Sequence, residues 1–330
     1  MLNILLITDH KPGHESISTG ILKYISDKNE VDRVEVYAQI RAKFLKVFAT
    51  LIINNINLNQ KIVMLLIKIF YKNFNFNFNK KVDLIISTGG DTSFLNVLLA
   101  KYLSVPNIYC SSLRGLDNNL FTHTVSIKDN RLPNEIVVDL SPIYVKTADK
   151  ELHGSYIAIL IGGKTKNYKF IDEEFISLVE NSIALAKKFN YKLLITTSRR
   201  TPISVEKEIK KIYHENEDYI EKCVLFNEKP QKVVNYFLSN ADVIFCTEDS
   251  GSMITEAILS KKRVYTIRPF NTNLNEIFEI FMTNITTKKY VHSTLVDGIS
   301  KISFDEEFNA LQNSPVEIVY QKISKLVHLK

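Results

Sequence analysis

Cysteines are few in this sequence, and long uncharged apolar runs are missing. The three cysteines are Cys110, Cys223 and Cys246, and no two of them form a CxxC pair. This pattern excludes a disulfide-stapled scaffold, disfavours a cysteine-rich zinc site and is typical of a reducing cytosol. The longest uncharged apolar run near the middle of the chain, residues 62–67, ends at Lys68 and is far shorter than the roughly 20 residues that span a bilayer.

A secretory signal is not recognisable either. Residues 1–8 are apolar, but they contain no basic residue, and Asp9 and His10 follow too early. The 330 residues, 45% apolar and 24% charged, have a globular composition, which excludes disorder, collagen and coiled coil as descriptions of the whole chain. We expect two domains of roughly 150 residues each in a cytoplasmic protein, either free or peripheral on the inner face of the cytoplasmic membrane.

Acidic residues are absent from residues 41–82, a segment that is rich in apolar side chains. Its eight basic residues are Arg41, Lys43, Lys46, Lys61, Lys68, Lys72, Lys80 and Lys81. The whole chain has a net charge of +6, so the remainder is slightly acidic. Basic and apolar residues at helical spacing are typical of a helix lying on anionic lipid, and equally of a core helix with a solvated basic face. Nucleic acid is disfavoured as a partner because most of these cations are lysines and no nucleic-acid motif accompanies them.

The order of apolar runs, polar turns and helical spacings predicts an α/β fold in both halves. Strands are predicted at residues 2–8, 34–37, 82–87, 107–110, 123–127, 156–161, 192–197, 223–226, 243–246 and 263–266. The strictly alternating segment 73–79 predicts either a short strand or a loop. The poorly periodic stretch 142–154 marks a domain boundary, which gives domains 1–148 and 149–330, with the last helix placed either in the second domain or back on the first. Two Rossmann-like, doubly wound domains facing a central cleft bind their ligands at the carboxyl ends of the strands.

The loop after the first strand, residues 9–15, holds two histidines and two carboxylates. Histidine is the side chain best suited to act as a base near neutral pH. His14 is therefore our candidate base, with Asp9 and Asp91 as alternatives. The alternative is that these residues have no catalytic role, with Asp9 capping the next helix and His14 packing in a turn.

Gly162, Gly163 and Lys164 follow the first strand of the second half. Exposed backbone N–H groups and a lysine suit a phosphate. The sequence here matches neither a Walker A loop nor GxGxxG, so an ordinary tight turn is the alternative interpretation. Thr197, Arg199 and Arg200 follow the next strand and also favour an anion, or else they belong to an exposed capped helix.

Ser250, Gly251 and Ser252 are predicted at a helix N-terminus, followed by Met253. Backbone N–H groups and the helix dipole hold anions at such a terminus. Glu256 lies one turn after Ser252, where a carboxylate can accept hydrogen bonds from both hydroxyls of a ribose. The alternative is an ordinary capping arrangement.

These loops resemble those of the mitochondrial fission ELM family, which is regarded as a family of glycosyltransferases. The matching segments are residues 9–15, 160–170, 196–202 and 249–257. The resemblance implies a GT-B architecture, a nucleotide-sugar donor in the second domain and a distant likeness to the enzyme that adds N-acetylglucosamine to lipid I. His10 replaces a usual glycine, and residues 88–92 replace an arginine-rich loop. Both departures lie in the acceptor domain, so we expect an unusual acceptor.

The resemblance implies transfer of a sugar to a lipopolysaccharide, lipooligosaccharide or lipid-linked envelope glycan, with no metal and no cofactor besides the nucleotide-sugar. The donor-binding set is then Gly162, Gly163, Lys164, Thr197, Arg199, Arg200, Ser250, Gly251, Ser252, Met253 and Glu256. Within this set, Arg199 or Arg200 would offset charge on the leaving group. Residues 41–81 would face the membrane. Two alternatives stay open, a nucleotide-sugar 2-epimerase of the same fold and a membrane-recruited scaffold without activity.

Overall fold

The computed structural model describes residues 1–146 and 148–327, which divide into two compact units. Unit 1 contains Met1–Tyr144 and the described residues from Asn313 onward, and unit 2 contains Val145–Gln312. The last helix therefore belongs to unit 1.

The strands are β1 (Leu2–Thr8), β2 (Val31–Tyr37), β3 (Leu84–Ser87), β4 (Asn107–Tyr109), β5 (His123–Ser126), β6 (Glu135–Val137), β7 (Tyr156–Leu160), β8 (Lys192–Thr196), β9 (Ile220–Val224), β10 (Val243–Thr247), β11 (Arg263–Arg268) and β12 (His292–Leu295). The helices are α1 (Pro12–Ser26), α2 (Leu45–Asn55), α3 (Gln60–Phe70), α4 (Ser93–Leu103), α5 (Asp172–Phe189), α6 (Ile203–Glu215), α7 (Val234–Asn240), α8 (Gly251–Leu259), α9 (Glu276–Thr287) and α10 (Pro315–Ile323). None of the helices in the described part of the chain is long and apolar enough to cross a membrane.

Unit 1 is built on a six-stranded sheet in the order β2-β1-β3-β4-β5-β6, with every neighbouring pair parallel. The chain moves from β1 out to β2 and then returns to the other side of β1 at β3. The point where the winding reverses therefore lies between β1 and β3. Ligands of doubly wound sheets bind at the carboxyl ends of the strands at this point.

Both faces of this sheet are buried, which explains why its central strands read as continuous apolar runs. Leu5 and Ile7 pack in a core cluster with residues of α2, α3 and α4. Ile4 and Leu6 point to the other face, where they pack in a cluster with residues of α1 and α10. Residues 73–79 form no strand, and Phe74, Phe76 and Phe78 of this segment pack against the α2–α4 cluster.

Unit 2 repeats the plan with the strand order β12-β11-β10-β7-β8-β9, again parallel throughout. Its winding reverses between β7 and β10. The residues that follow β7, β10 and the adjacent β8 are the three loops predicted to hold an anion, so the fold brings these loops to one edge of one sheet.

Candidate functional site

The buried carboxylate of Asp249 organises the edge of unit 2. Its side chain is 0% exposed, and its two oxygens accept hydrogen bonds from the Gly163 N–H at 2.9 Å and the Thr247 hydroxyl at 2.7 Å. The Arg200 guanidinium pairs with the same carboxylate. Burial raises the pKa of Asp249, although the bonds from Thr247 and Arg200 oppose the shift. Sequence analysis placed this residue in a segment that resembles the ELM family, residues 249–257, but gave it no role.

The two glycines after β7 serve close packing. The Gly162 N–H donates to the Thr247 hydroxyl at 2.7 Å, and the Gly163 N–H donates to Asp249. A Cβ on Gly162 would lie 2.1 Å from a carboxylate oxygen of Asp249, and a Cβ on Gly163 would lie 2.2 Å from the backbone oxygen of Arg200. Both N–H groups therefore already donate inside unit 2, and their predicted contact with a diphosphate stays a prediction.

Two of the predicted donor-binding residues in the β8 loop are also occupied. The Thr197 hydroxyl donates to Glu206 at 2.5 Å and accepts from the Phe226 N–H at 2.8 Å. Arg200 is held by Asp249. Both side chains support the loop in this way, and their predicted contact with the donor stays a prediction. Arg199 is exposed and has no ion pair within residues 1–146 and 148–327, so its charge remains available to a ligand.

The start of α8 keeps its hydrogen-bond donors free. The helix begins at Gly251 with Ser250 as its N-cap residue, as predicted. No acceptor within the described residues takes the N–H groups of Gly251, Ser252 and Met253. The hydroxyls of Ser250 and Ser252 lie 3.3 Å apart. A helix terminus with these donors is suited to an anionic group.

Glu256 lies one turn further along α8 and is half-buried. Its carboxylate has no hydrogen-bond partner in the described part of the chain, and burial raises its pKa to about 7. A half-buried carboxylate gains from hydroxyl donors that a ligand brings, because such bonds replace the water it has lost.

Two further cations lie at the carboxyl edge of this sheet. Lys164 pairs with Asp172 at 2.6 Å, and since both side chains are over a third exposed the pair is weak and exchangeable. Arg268, at the end of β11, is held by the fully buried carboxylate of Glu248 with its Nε at 3.1 Å from Oε2. Sequence reasoning missed Arg268, although a charged residue closing an apolar strand was the available signal.

Unit 1 places its predicted catalytic residues together at the β1–β3 edge. His14 lies in the first turn of α1, which begins at Pro12 because proline is well tolerated at the first helical position. His14 Nδ1 lies 3.0 Å from both carboxylate oxygens of Asp9, whose side chain is 2% exposed. Because a carboxylate accepts the Nδ1 proton, Nε2 is the basic nitrogen, and the ring is 32% exposed.

The carboxylates of this cluster are neutralised by lysines. Lys11 Nζ lies 2.8 Å from Asp9 and 3.0 Å from Asp91, and Lys46 Nζ lies 2.5 Å from Asp91. Burial raises the pKa of both carboxyl groups, but for Asp9 the hydrogen bonds from Lys11 and His14, and for Asp91 those from Lys46 and Lys11, outweigh it and leave the pKa lowered. Carboxylates held ionised in this way are weak bases, so the geometry favours His14 for that role.

Gly89 fixes the position of the His14 ring. Its φ is +102°, and a Cβ there would lie 2.2 Å from His14 Nδ1. The loop after β3 therefore packs its backbone against the imidazole, which only glycine allows. This explains why the sequence carries a glycine pair at this position, where the ELM resemblance led us to expect an arginine-rich loop.

Solved structures resemble the chain over nearly its whole length. They include S. aureus MnaA with UDP (TM-score 0.57, 14% identity, 99% of this chain and 97% of that chain). The UDP-GlcNAc 2-epimerase of Methanocaldococcus jannaschii has a TM-score of 0.55 at 14% identity, covering 97% of this chain and 99% of that one. For MurG of Acinetobacter baumannii the TM-score is 0.51 at 13% identity, covering 99% and 91%. The two parallel α/β units thus have the GT-B fold, as predicted.

The sequence comparison gives the family. The model of the family described as "Mitochondrial fission ELM1" matches residues 143–310, just over half of the chain. The chain belongs to the mitochondrial fission ELM1 family. It is also 28% identical over 277 residues to the UDP-N-acetylglucosamine–N-acetylmuramyl-(pentapeptide) pyrophosphoryl-undecaprenol N-acetylglucosamine transferase of Pelagibacter ubique, covering 76% of this chain and 72% of that protein.

Proposed function

We propose that this protein transfers a sugar from a nucleotide-sugar, bound at the carboxyl edge of unit 2, to an envelope-glycan acceptor. The observation that carries the proposal is the start of α8. Three backbone N–H groups there, which no described residue accepts from, precede by one helical turn a half-buried carboxylate that has no hydrogen-bond partner among residues 1–146 and 148–327. This arrangement suits a diphosphate joined to a ribose. The names of several relatives include UDP or a UDP-sugar, so a UDP-linked donor is the first to test.

Each part of the nucleotide-sugar has a matching set of protein groups. The N–H groups of Gly251, Ser252 and Met253, with the Ser250 and Ser252 hydroxyls, bind the diphosphate, and Glu256 accepts from the ribose hydroxyls. Arg199 and Lys164 offset the negative charge that develops on the leaving diphosphate. Their positive side chains stabilise it as a divalent metal ion does in other enzymes. Asp249 positions this edge by fixing the β7 and β8 loops to β10.

His14 is the proposed base that takes the proton of the acceptor hydroxyl. Asp9 orients the ring through Nδ1, and it stabilises the imidazolium that forms when Nε2 accepts the proton. The acceptor oxygen then bonds to the anomeric carbon as the bond to the diphosphate breaks, and the nucleotide diphosphate leaves with the electron pair.

The test measures turnover and donor affinity separately. UDP-GlcNAc carrying a labelled sugar is incubated with the full chain and a total glycolipid extract of a bacterial envelope. UDP release and label in the extract are both followed. His14→Ala should lower turnover by about 10²–10⁴-fold, with UDP affinity by calorimetry unchanged. Turnover at the wild-type rate in His14→Ala would contradict the assignment of the base.

The same assay separates the two alternatives. Conversion of the UDP-sugar to its 2-epimer without any acceptor would identify an epimerase. Failure to bind any nucleotide, together with unchanged membrane behaviour in His14→Ala and Glu256→Ala, would identify a scaffold.

A further inference from the structure

The outward faces of α2 and α3 carry an unusual number of exposed apolar side chains. Seventeen large hydrophobic residues in the described part of the chain are exposed, and seven of them fall between residues 44 and 69. These seven are Phe44, Val47, Phe48, Leu51, Ile56, Leu65 and Ile69. An apolar cluster of this kind on a protein surface marks an interaction site.

The helix α2 has two apolar sides. Ala49 and Ile53 are buried against the core of unit 1. The stripe formed by Phe44, Val47, Phe48 and Leu51 points away from it at the i, i+3, i+4, i+7 spacing, with exposures of 67, 65, 56 and 59%. This second side has no counterpart in an ordinary amphipathic surface helix, whose outer face is polar. The outer side of α2 is therefore apolar, whereas the core-helix interpretation of the sequence described a solvated basic face.

The charged side chains within residues 41–82 are of one sign. Three of the eight basic residues in 41–82 pair with carboxylates that lie outside the segment, Lys46 with Asp91, Lys80 with Asp32 and Lys81 with Asp83. The other five are exposed and have no ion pair among residues 1–146 and 148–327. They are Arg41, Lys43, Lys61, Lys68 and Lys72. Free cations beside an apolar surface complement anionic lipid headgroups above an acyl layer.

We propose that the surface formed by α2 and α3 binds an anionic bilayer, with the apolar stripe inserted at the headgroup boundary and the five free cations among the headgroups. The two helices pack through their inner sides on the same core cluster and the same sheet face, so their outer sides belong to one layer of unit 1. Exposed apolar side chains and cations without an ion pair on one layer match the surface of an anionic membrane.

The surface also connects to the candidate acceptor cluster. Lys46 of α2 lies 2.5 Å from Asp91, and Thr50 and Asn54 of the same helix contact Gly115 in the loop after β4. An α2 helix seated on the membrane therefore holds the His14 cluster close to that membrane. A lipid-borne acceptor fits this placement, and this last step rests on the proposed function, whereas the membrane surface itself does not.

A single tryptophan tests the proposal directly, because the chain has none of its own. Phe48→Trp places the reporter in the apolar stripe, and Phe270→Trp places it on unit 2 at a side chain that is 88% exposed. Emission is recorded with phosphatidylcholine vesicles that contain or lack phosphatidylglycerol, in the absence of nucleotide. We expect a blue shift for Trp at 48 with the anionic vesicles alone, reduced by salt, and none at 270. Emission at 48 that is unaffected by vesicles, or equally shifted by neutral ones, would overturn the proposal.

Co-sedimentation with the same vesicles measures whether substitutions in the apolar stripe weaken binding. Phe44→Ser with Phe48→Ser should lower the bound fraction at least about tenfold, and Phe270→Ser should leave it unchanged. Far-UV circular dichroism and cooperative thermal unfolding of each variant confirm that it is folded, and a failure of the proposed function would leave vesicle binding intact. A concentration-dependent dimer that the paired substitution abolishes, with no vesicle binding, would instead assign the surface to a second copy of the chain. Retention on an oligonucleotide without vesicle binding would assign it to nucleic acid.

Discussion

At the scale of single residues, the decisive distinction is between polar groups that the protein already uses and those it leaves for a ligand. Gly162, Gly163 and Thr197 have the right chemistry for a diphosphate, yet their donors are engaged within unit 2. Arg200 also uses one of its nitrogens there, on Asp249. Motif matching cannot make this distinction, since it depends on which side chain of a neighbouring strand lies opposite. Glu256, by contrast, keeps a carboxylate without a partner in the described residues.

Nucleotide affinity should depend on the ionisation of Glu256. Its pKa is raised to about 7 by burial, and the ionised form accepts ribose hydroxyls better than the protonated form. UDP affinity should therefore rise as the pH rises through about 7. Glu256→Gln should remove this dependence and weaken binding above that pH by about 1.5–3 kcal/mol, the value of a charged hydrogen bond. Calorimetry one pH unit below and one above the midpoint measures this, and equal affinities for the two proteins at both values would contradict the ribose role.

The raised pKa of Glu256 also determines how the free energy of unfolding of the ligand-free protein should depend on pH. The folded chain holds a proton on Glu256 at pH values where the unfolded chain has already lost it. The free energy of unfolding should therefore fall as the pH rises from the ordinary range of a glutamate, near 4.5, to about 7. Glu256→Gln should reduce this fall in thermal denaturation of the ligand-free protein. An unchanged pH profile would show that the group titrates alike in both states.

At the scale of elements, strand-end loops were the predictable part of the site. Parallel strands with buried residues on both faces read as apolar runs, so the ends of β1, β7, β8 and β10 could be located from sequence. The edge strand β12 was missed because its residues alternate between intermediate and exposed positions, and β6 was missed because only three residues pair. Both faces of α2 carry apolar side chains. The spacing of apolar residues in the sequence therefore could not show which face is buried and which is exposed.

Glycine substitutions test whether the loop after β7 requires glycine because its backbone is closely packed. Gly163→Ala would bring a Cβ to 2.2 Å from the backbone oxygen of Arg200, so the backbone must shift, and we expect a loss of about 2–4 kcal/mol in the free energy of unfolding. Gly13→Ala is the matched control, since a Cβ there meets nothing within 4 Å and the residue lies in α1. That variant should be more stable by about 0.5–1 kcal/mol. Denaturant unfolding of both variants gives the comparison, and a Gly163→Ala as stable as the wild type would contradict the packing role.

At the scale of the whole molecule, two units of one architecture carry different chemistry. Unit 1 joins a carboxylate-oriented histidine to a basic, apolar surface, whereas unit 2 joins unoccupied helix N–H groups to a half-buried carboxylate. The ELM1 family model matches residues 143–310, which is almost exclusively unit 2. The family match and the candidate donor site thus fall in the same unit. The acceptor is the part that this chain's own first unit must define.

The central claim is that unit 2 binds a nucleotide diphosphate without a metal, and one measurement tests it most directly. The thermal unfolding of the full chain is followed with UDP, GDP, CDP, ADP, TDP and CMP in turn, each with magnesium and with a chelator. We predict that one diphosphate, UDP first among them, raises stability by about 2.7 kcal/mol at about 100 times its dissociation constant, equally in both conditions. Stabilisation that vanishes with the chelator would contradict the metal-independent site, and no stabilisation by any nucleotide would contradict the transferase account itself.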